Sequence, residues 1–142
     1  MREKVDTVQN ITLIHNLIRR ELELFGKEYS VGTAATKVLN FLANTDKKDV
    51  FQRDIERACG IRASTATVLM QQMEQGGLIK RHALARDQRL RKIELTPAAR
   101  KKSAAVAEEM TGLNTALLQG VSDQDAATFN AVLKQIESNL SH

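Results

Sequence analysis

Apolar side chains recur every three or four residues over most of this chain, which predicts a largely helical protein. Residues 5–28 carry this spacing, and it returns after Thr33, Thr96 and Ser122. These three hydroxyl residues are expected to act as helix N-caps, with Pro97 at the first helical position. The pattern therefore predicts a long N-terminal helix, a second helix after a short break, and two C-terminal helices.

The middle of the chain predicts two shorter helices joined by a tight turn. The first, about Gln52–Cys59, ends at Gly60, where glycine tolerates a left-handed backbone. The second, about Ala63–Gln75, stops at Gly76 and Gly77. The side chains expected to be buried are Ile55, Ala58, Cys59, Ile61, Ala66, Leu69, Met70 and Met73.

The period changes after the second of these helices. Leu78-Ile79 and Ile93–Leu95 read as short strands on either side of a long polar loop, Ala83–Leu90. Another very short strand is expected at Asp49–Phe51. A helix-turn-helix followed by a hairpin, or wing, is a device for placing the second helix in the DNA major groove.

Charge distribution supports this interpretation. Residues 47–102 contain 14 Lys and Arg against 6 Asp and Glu, a net charge of +8, whereas the rest of the chain has a net charge of −4. A basic middle between acidic ends is typical of a nucleic-acid reader with a separate scaffold. The chain has no apolar run of membrane-spanning length and no signal-peptide pattern at its start, so a cytoplasmic location is the expectation.

The terminal helices have apolar faces too extensive for a small winged lobe to cover. A two-fold homodimer would bury them and would present two recognition helices to two half-sites of a palindrome. We therefore predict a mainly α fold with a β-hairpin wing in one domain, 1–142. Residues 33–96 are expected to form the DNA-binding lobe, and residues 1–28 and 97–142 the dimerisation helices.

The wing and its surroundings resemble the MarR family of bacterial transcription regulators. The family's wing signature, D-x-R followed by L-T-x-x-G, stands here as Asp87, Arg89, Leu95 and Thr96, with Ala99 in place of the usual glycine. Many relatives have arginine at the position of Val68. The resemblance covers nearly the whole chain and implies an obligate dimer, a palindromic operator and often a small-molecule or oxidant signal.

Arg89 is the leading candidate for DNA binding, because a hairpin tip can insert a guanidinium into a narrow minor groove. Asp87 is expected to hold it in a bidentate pair. On the second helix, Gln71 and Val68 could read bases, while Ser64 and Thr65 lie where phosphate binds. The other predicted DNA contacts are Arg62, Thr67, Lys80, Arg81, Arg86, Arg91 and Lys92.

Other sites are less marked. An effector cleft is expected near Leu17, Phe25, Tyr29 and Leu39, although these residues could equally be core. Cys59, the one cysteine, is expected to be a buried structural thiol rather than a redox sensor. His15, His82 and His142 are scattered without metal-ligand spacing, so neither a metal nor any other cofactor is predicted.

Three functions compete. The leading one is a dimeric repressor that binds double-stranded DNA and is released by a small ligand. The alternative is a winged-helix module that binds proteins, since a fold does not fix a function. An enzyme is least favoured, because the sequence carries no nucleophile–base pair or phosphate-binding motif.

Overall fold

The computed structural model of the protein describes residues 4–141, apart from the side chain of Gln88. Six helices and one hairpin follow each other along the described chain, which confirms the predicted mainly helical fold with a β-hairpin wing. The elements are α1 (Thr7–Tyr29), α2 (Thr33–Asn44), α3 (Gln52–Cys59), α4 (Ala63–Gln75), β1 (Ile79–Leu84), β2 (Asp87–Leu95), α5 (Pro97–Leu117) and α6 (Asp123–Leu140).

The chain divides into two compact units, residues 1–109 and residues 110–142, with the boundary inside α5. The core of the first unit is made of apolar side chains from α2, α3, α4, β1 and α5. Its largest fully buried apolar members are Val38, Leu39, Ile55, Met70, Ile79 and Val106. A hydrogen bond links α5 to α2 within this core: the Ser103 hydroxyl donates to the Leu39 carbonyl at 2.6 Å.

The two helices of the helix-turn-helix have the predicted bounds. Gly60 lies between them with φ of 64°, the left-handed conformation that the turn requires. Ile55 is buried as expected, but Ala58 is exposed and Ile61 only half-buried. The prediction for Ala58 was wrong because α3 is short and turns a single narrow face toward the core.

The hairpin departs from the prediction in length. Its strands extend to Leu84 and Asp87, so the connection is a turn of Ala85 and Arg86 rather than a long loop. The expected strand at Asp49–Phe51 is absent from this described segment, where a single backbone bond joins Ile93 N–H to the Val50 carbonyl at 2.8 Å.

Thr96 connects the hairpin to α5. Its hydroxyl accepts from the Ala99 N–H at 3.2 Å, as an N-cap does, and donates to the Gly77 carbonyl at 2.7 Å. The predicted cap at Thr33 was wrong: Gly32 precedes α2, and Thr33 is its first helical residue. Ser122 caps α6 as expected, accepting from the Asp125 N–H.

The terminal helices expose much of their apolar surface. None of the side chains described on α6 is buried, and the first half of α1 is exposed along its apolar face. The exposed large side chains on these two helices are Val8, Ile11, Leu13, Ile14, Leu17, Leu24, Phe129, Val132, Leu133 and Leu140. No helix in residues 4–141 is long and apolar enough to cross a membrane.

Candidate nucleic-acid interface

Helix α4 separates its buried and exposed residues as the sequence predicts. Its inner face consists of the buried Ala66, Leu69, Met70 and Met73. Its outer face consists of the exposed Ser64, Thr65, Thr67, Val68 and Gln71. Val68 is about half exposed, so its apolar side chain is not part of the core. Together with the amide of Gln71, it gives this face both apolar and hydrogen-bonding groups. Such a face matches the edges of base pairs in a major groove.

Thr67 has a second role within the helix-turn-helix. Its hydroxyl donates to the Ala63 carbonyl at 2.9 Å and accepts from Gln52 Nε2 at 3.0 Å. Gln52, at the first position of α3, therefore links the two helices and helps fix the orientation of α4. Sequence reasoning missed Gln52, because no periodic signal relates two polar residues that lie so far apart in the chain.

Arg89 projects from the wing into solvent. Its side chain is 92% exposed, the backbone of β2 being irregular at this point. Ala83 pairs with Arg91 whereas Leu84 pairs with Asp87, so residues 88–90 lie between consecutive partners and form a bulge. A bulge re-aims the side chains that it carries, and here it carries Arg89.

Asp87 holds Arg89, but not in the predicted bidentate geometry. One carboxylate oxygen, Asp87 Oδ1, accepts from the Arg89 backbone N–H at 3.0 Å and from Arg89 Nε at 3.3 Å. The guanidinium is thus held through Nε, and no hydrogen bond from its two terminal nitrogens is present among the described residues. This arrangement leaves a planar pair of donors at the end of the wing.

The remaining basic residues fall into two groups. Arg62, Lys80, Arg86 and Arg91 are exposed, and Arg62 immediately precedes α4. Arg81 and Lys92 are more enclosed and are paired with carboxylates: Arg81 Nη2 lies 3.0 Å from Glu74 Oε1. Lys92 Nζ lies 2.9 Å from Glu94 Oε1 and 3.4 Å from Asp49 Oδ1.

These pairs brace the wing. The hydrogen bond from Arg81 lowers the pKa of Glu74, and it joins β1 to the end of α4. The hydrogen bond to Glu94 raises the pKa of Lys92, which lies between that carboxylate and Asp49. In the free protein, therefore, Arg81 and Lys92 stabilise the wing's position.

Comparison with known proteins finds similar proteins in one family. Residues 30–90 match the sequence model of the MarR family. The structure resembles the transcription regulator MarR from Oenococcus oeni PSU-1, with a TM-score of 0.83 and 26% identity over 94% of this chain and 99% of that one. Over residues 30–90, therefore, the chain matches the MarR family.

Two further solved structures share the MarR fold. The S. aureus MepR–DNA complex superposes with a TM-score of 0.86 and 20% identity, covering 96% of this chain and 100% of that one. S. aureus MepR in its DNA-binding conformation gives a TM-score of 0.88 at the same identity and coverage. Regulators of the MarR family are DNA-binding transcription factors and not enzymes.

The residues predicted for an effector cleft differ in exposure. Leu17 is exposed, Phe25 and Tyr29 are half-buried, and Leu39 is sealed in the core. The pKa of Tyr29 is raised by partial burial and by the carboxylates of Glu28 and Glu109. A phenol in such surroundings stays protonated and can donate a hydrogen bond.

Cys59 is half-buried, less enclosed than expected for a structural thiol. Burial raises the pKa of this thiol, and the nearby charge of Lys37 only partly offsets that effect. A thiol with a raised pKa is a poor nucleophile at neutral pH. Within residues 4–141 no group of His, Cys, Asp and Glu is arranged to hold a metal ion, and His142 lies outside the described residues.

Proposed function

We propose that the protein is a homodimeric repressor that binds a palindromic operator in double-stranded DNA. The observation that carries the proposal is the outward face of α4 beside a wing whose Arg89 is 92% exposed. A recognition helix in the major groove and an arginine in the adjacent minor groove would read about half of the operator per subunit. MepR, which shares the fold, has been solved bound to DNA.

The proposed contacts follow the predicted division of labour. Gln71 and Val68 would contact base edges, while Ser64 and Thr65, in the first turn of α4, would bind phosphate through hydroxyl and backbone groups. Thr67 would contribute through its bond to Gln52, which orients the helix. The exposed basic residues would bind backbone phosphate and give a salt-dependent affinity.

The dimer is supported by the uncovered apolar faces of α1 and α6. Leu133 and Phe129 on α6 and Ile14 on α1 are 39%, 51% and 51% exposed in the single chain. An exposed apolar face of this kind, on each of the two helices, marks an interaction site. A second copy of the same chain would cover it on both subunits at once and would present two recognition helices.

The proposed dimer would act as a repressor whose release depends on a ligand. A dimer seated over about two turns of DNA would exclude polymerase from an overlapping promoter. A ligand bound near Leu17, Phe25 and Tyr29 would release the dimer only if it bound more tightly to a form with differently spaced recognition helices. Loss of DNA affinity on addition of a compound, with protection of these residues, would support this part of the proposal.

The decisive experiment is selection of bound duplexes from a random DNA pool, followed by sequencing. Enrichment of a two-fold symmetric site with half-sites about one turn apart is expected. If the folded protein enriches no sequence, specific DNA binding fails. The protein-interaction module would then be the better account of the α4 face and the wing.

A further inference from the structure

A basic groove lies between the start of α3 and the wing, beside the recognition helix. Its volume is about 280 Å³. Its apolar lining includes the buried side chains of Phe51 and Ile93. Its polar lining consists of Gln52, Arg53, Arg81, Arg89 and Arg91.

The hairpin register explains why arginines gather here. Arg81 pairs with Ile93, and Ala83 pairs with Arg91. Cross-strand partners share a face, and positions two apart along a strand share it too. Arg81 and Arg91 therefore lie on the face of the wing that carries Ile93 into the groove, and Arg53 reaches the groove from α3.

The positive charge in the groove is only partly compensated. Arg81 is paired with Glu74, and Arg89 with Asp87. Among the described residues, neither Arg53 nor Arg91 has a carboxylate oxygen within 4.0 Å. Arg81 Nε is buried, and no hydrogen-bond acceptor for it is present among the described residues. The groove thus offers more cationic donors than the protein itself satisfies.

An oxyanion is the ligand that suits such a lining, since the planar fork of a guanidinium binds phosphate oxygens with directed hydrogen bonds. We propose that the groove binds one phosphodiester group of the DNA backbone, with Arg53 and Arg91 as its direct ligands. Arg81, held by Glu74, is a positioning residue that keeps the groove positive. This inference rests on the proposed DNA-binding function.

The position of the groove selects backbone phosphate over a free anion. It is lined on one side by Arg89, the residue proposed to enter the minor groove, and on the other by the start of α3, which Gln52 bonds to α4. The sugar-phosphate strand runs between the minor and major grooves that these two elements would occupy. A phosphate of that strand would fill the groove while both elements are engaged.

The test uses Arg53→Ala, Arg91→Ala and the double variant, each as the full chain on the selected operator. Arg57→Ala is the matched control, because it removes the same charge from the same helix, one turn further on and outside the groove lining. Affinity is measured by fluorescence anisotropy over a series of salt concentrations. Thermal melting of each variant checks that these substitutions leave the fold intact.

Each single variant is expected to weaken binding about tenfold, and Arg57→Ala by less than about twofold. The slope of log affinity against log salt should become shallower by about 0.9 per subunit, or about 1.8 for a dimer. This change is expected in the double variant only. Because both arginines hold one phosphate, either of them alone can still neutralise it, so each single variant should keep nearly the wild-type slope.

A wild-type slope in the double variant would overturn the proposal, as would an equal loss in Arg57→Ala, which would indicate a general charge effect. In either case sequence-specific binding by the wild type would still support the proposed function. Calorimetry with inorganic phosphate at constant ionic strength distinguishes a free anion. Tight binding of phosphate that leaves DNA affinity unchanged would also overturn the assignment to the DNA backbone.

Discussion

The winged lobe and the terminal helices use the same amphipathic pattern with opposite results. In the lobe, Ile55, Met70 and Ile79 are fully buried by neighbours from the same chain. On α6, none of the described side chains is buried, and Phe129 and Val132 are about half exposed. Apolar spacing thus identifies a face that needs cover, but it does not say whether that cover comes from the same chain or from another.

This difference separates two kinds of stability. Burial within the lobe stabilises a single chain at any concentration. Burial of the terminal helices in a dimer would contribute only as far as mass action populates that dimer. We therefore expect the fold of the lobe to persist on dilution, whereas the proposed dimer should dissociate.

The largest effect is expected from a charge placed on the uncovered face of α6. Phe129→Glu would bury a carboxylate in the proposed dimer contact, which costs several kcal/mol unless it is paired. We expect the dimer dissociation constant to rise by roughly a thousandfold or more, which corresponds to about 4 kcal/mol. Sedimentation velocity over a range of concentrations would measure it.

Asn130→Glu is the matched control for that experiment, since it adds the same carboxylate to the neighbouring, polar position of the helix. It should leave the dimer intact. A monomeric wild type, or a Phe129→Glu variant that dimerises normally, would show that the apolar face of α6 is covered in some other way.

The next effect concerns the lobe's own function. Arg89→Ala should weaken operator binding about a hundredfold, close to 2.7 kcal/mol, because the exposed guanidinium would be lost from the minor groove. The dimer and the melting temperature should not change, since 92% of this side chain is in solvent. Electrophoretic mobility shifts with the selected duplex give the comparison.

Asp87→Asn refines the same prediction. It keeps the shape of the partner but removes the charge that holds Arg89 at its base. A loss of only a few-fold is expected, because the arginine keeps its charge and loses only its orientation. Equal losses in the two variants would mean that Arg89 contributes to binding only when the carboxylate orients it.

A smaller effect tests the stability of the lobe through pH. Burial raises the pKa of Asp54, but hydrogen bonds from Lys47 Nζ at 2.6 Å and from the Phe51 N–H at 2.8 Å outweigh it and lower the pKa below the ordinary value of an aspartate. A lowered pKa in the folded state means that this carboxylate stabilises the protein above about pH 4. That contribution is lost as the pH falls through the folded value.

Asp54→Asn should therefore cost about 1 kcal/mol of unfolding free energy at pH 7 and much less near pH 2.5. Urea unfolding of the two proteins at both pH values measures the difference. A cost that is the same at both values would show that the amide's packing, rather than the lost charge, is responsible.

The sequence predicted the helix-turn-helix more accurately than the hairpin, for physical reasons. Gly60 and Gly76 mark the ends of α3 and α4, because glycine can leave the helical conformation at little steric cost. Much of the surface of the wing strands is exposed to solvent. Their outer halves are therefore polar and show no clear alternation of apolar and polar residues. The sequence pattern therefore predicts strands that are too short and a loop that is too long.

The candidate site shows the same limit. The outer face of α4 follows from helical period, and the Asp87–Arg89 pair follows from spacing along a strand. Gln52 and Arg53 did not emerge, because their contacts with α4 and with the wing depend on how separate elements pack. A local pattern carries no signal for such contacts.

The smallest effect is expected at Cys59, which lies in the lobe but outside the proposed contacts. Because burial raises the pKa of this thiol, little thiolate forms at neutral pH, and reaction with an oxidant should be slow. Cys59→Ser should leave operator affinity within about twofold of the wild type. Peroxide should not lower the operator affinity of either protein. If peroxide released only the wild type from DNA, Cys59 would be a redox sensor. The signal would then enter through the lobe itself rather than through the terminal helices proposed to form the dimer.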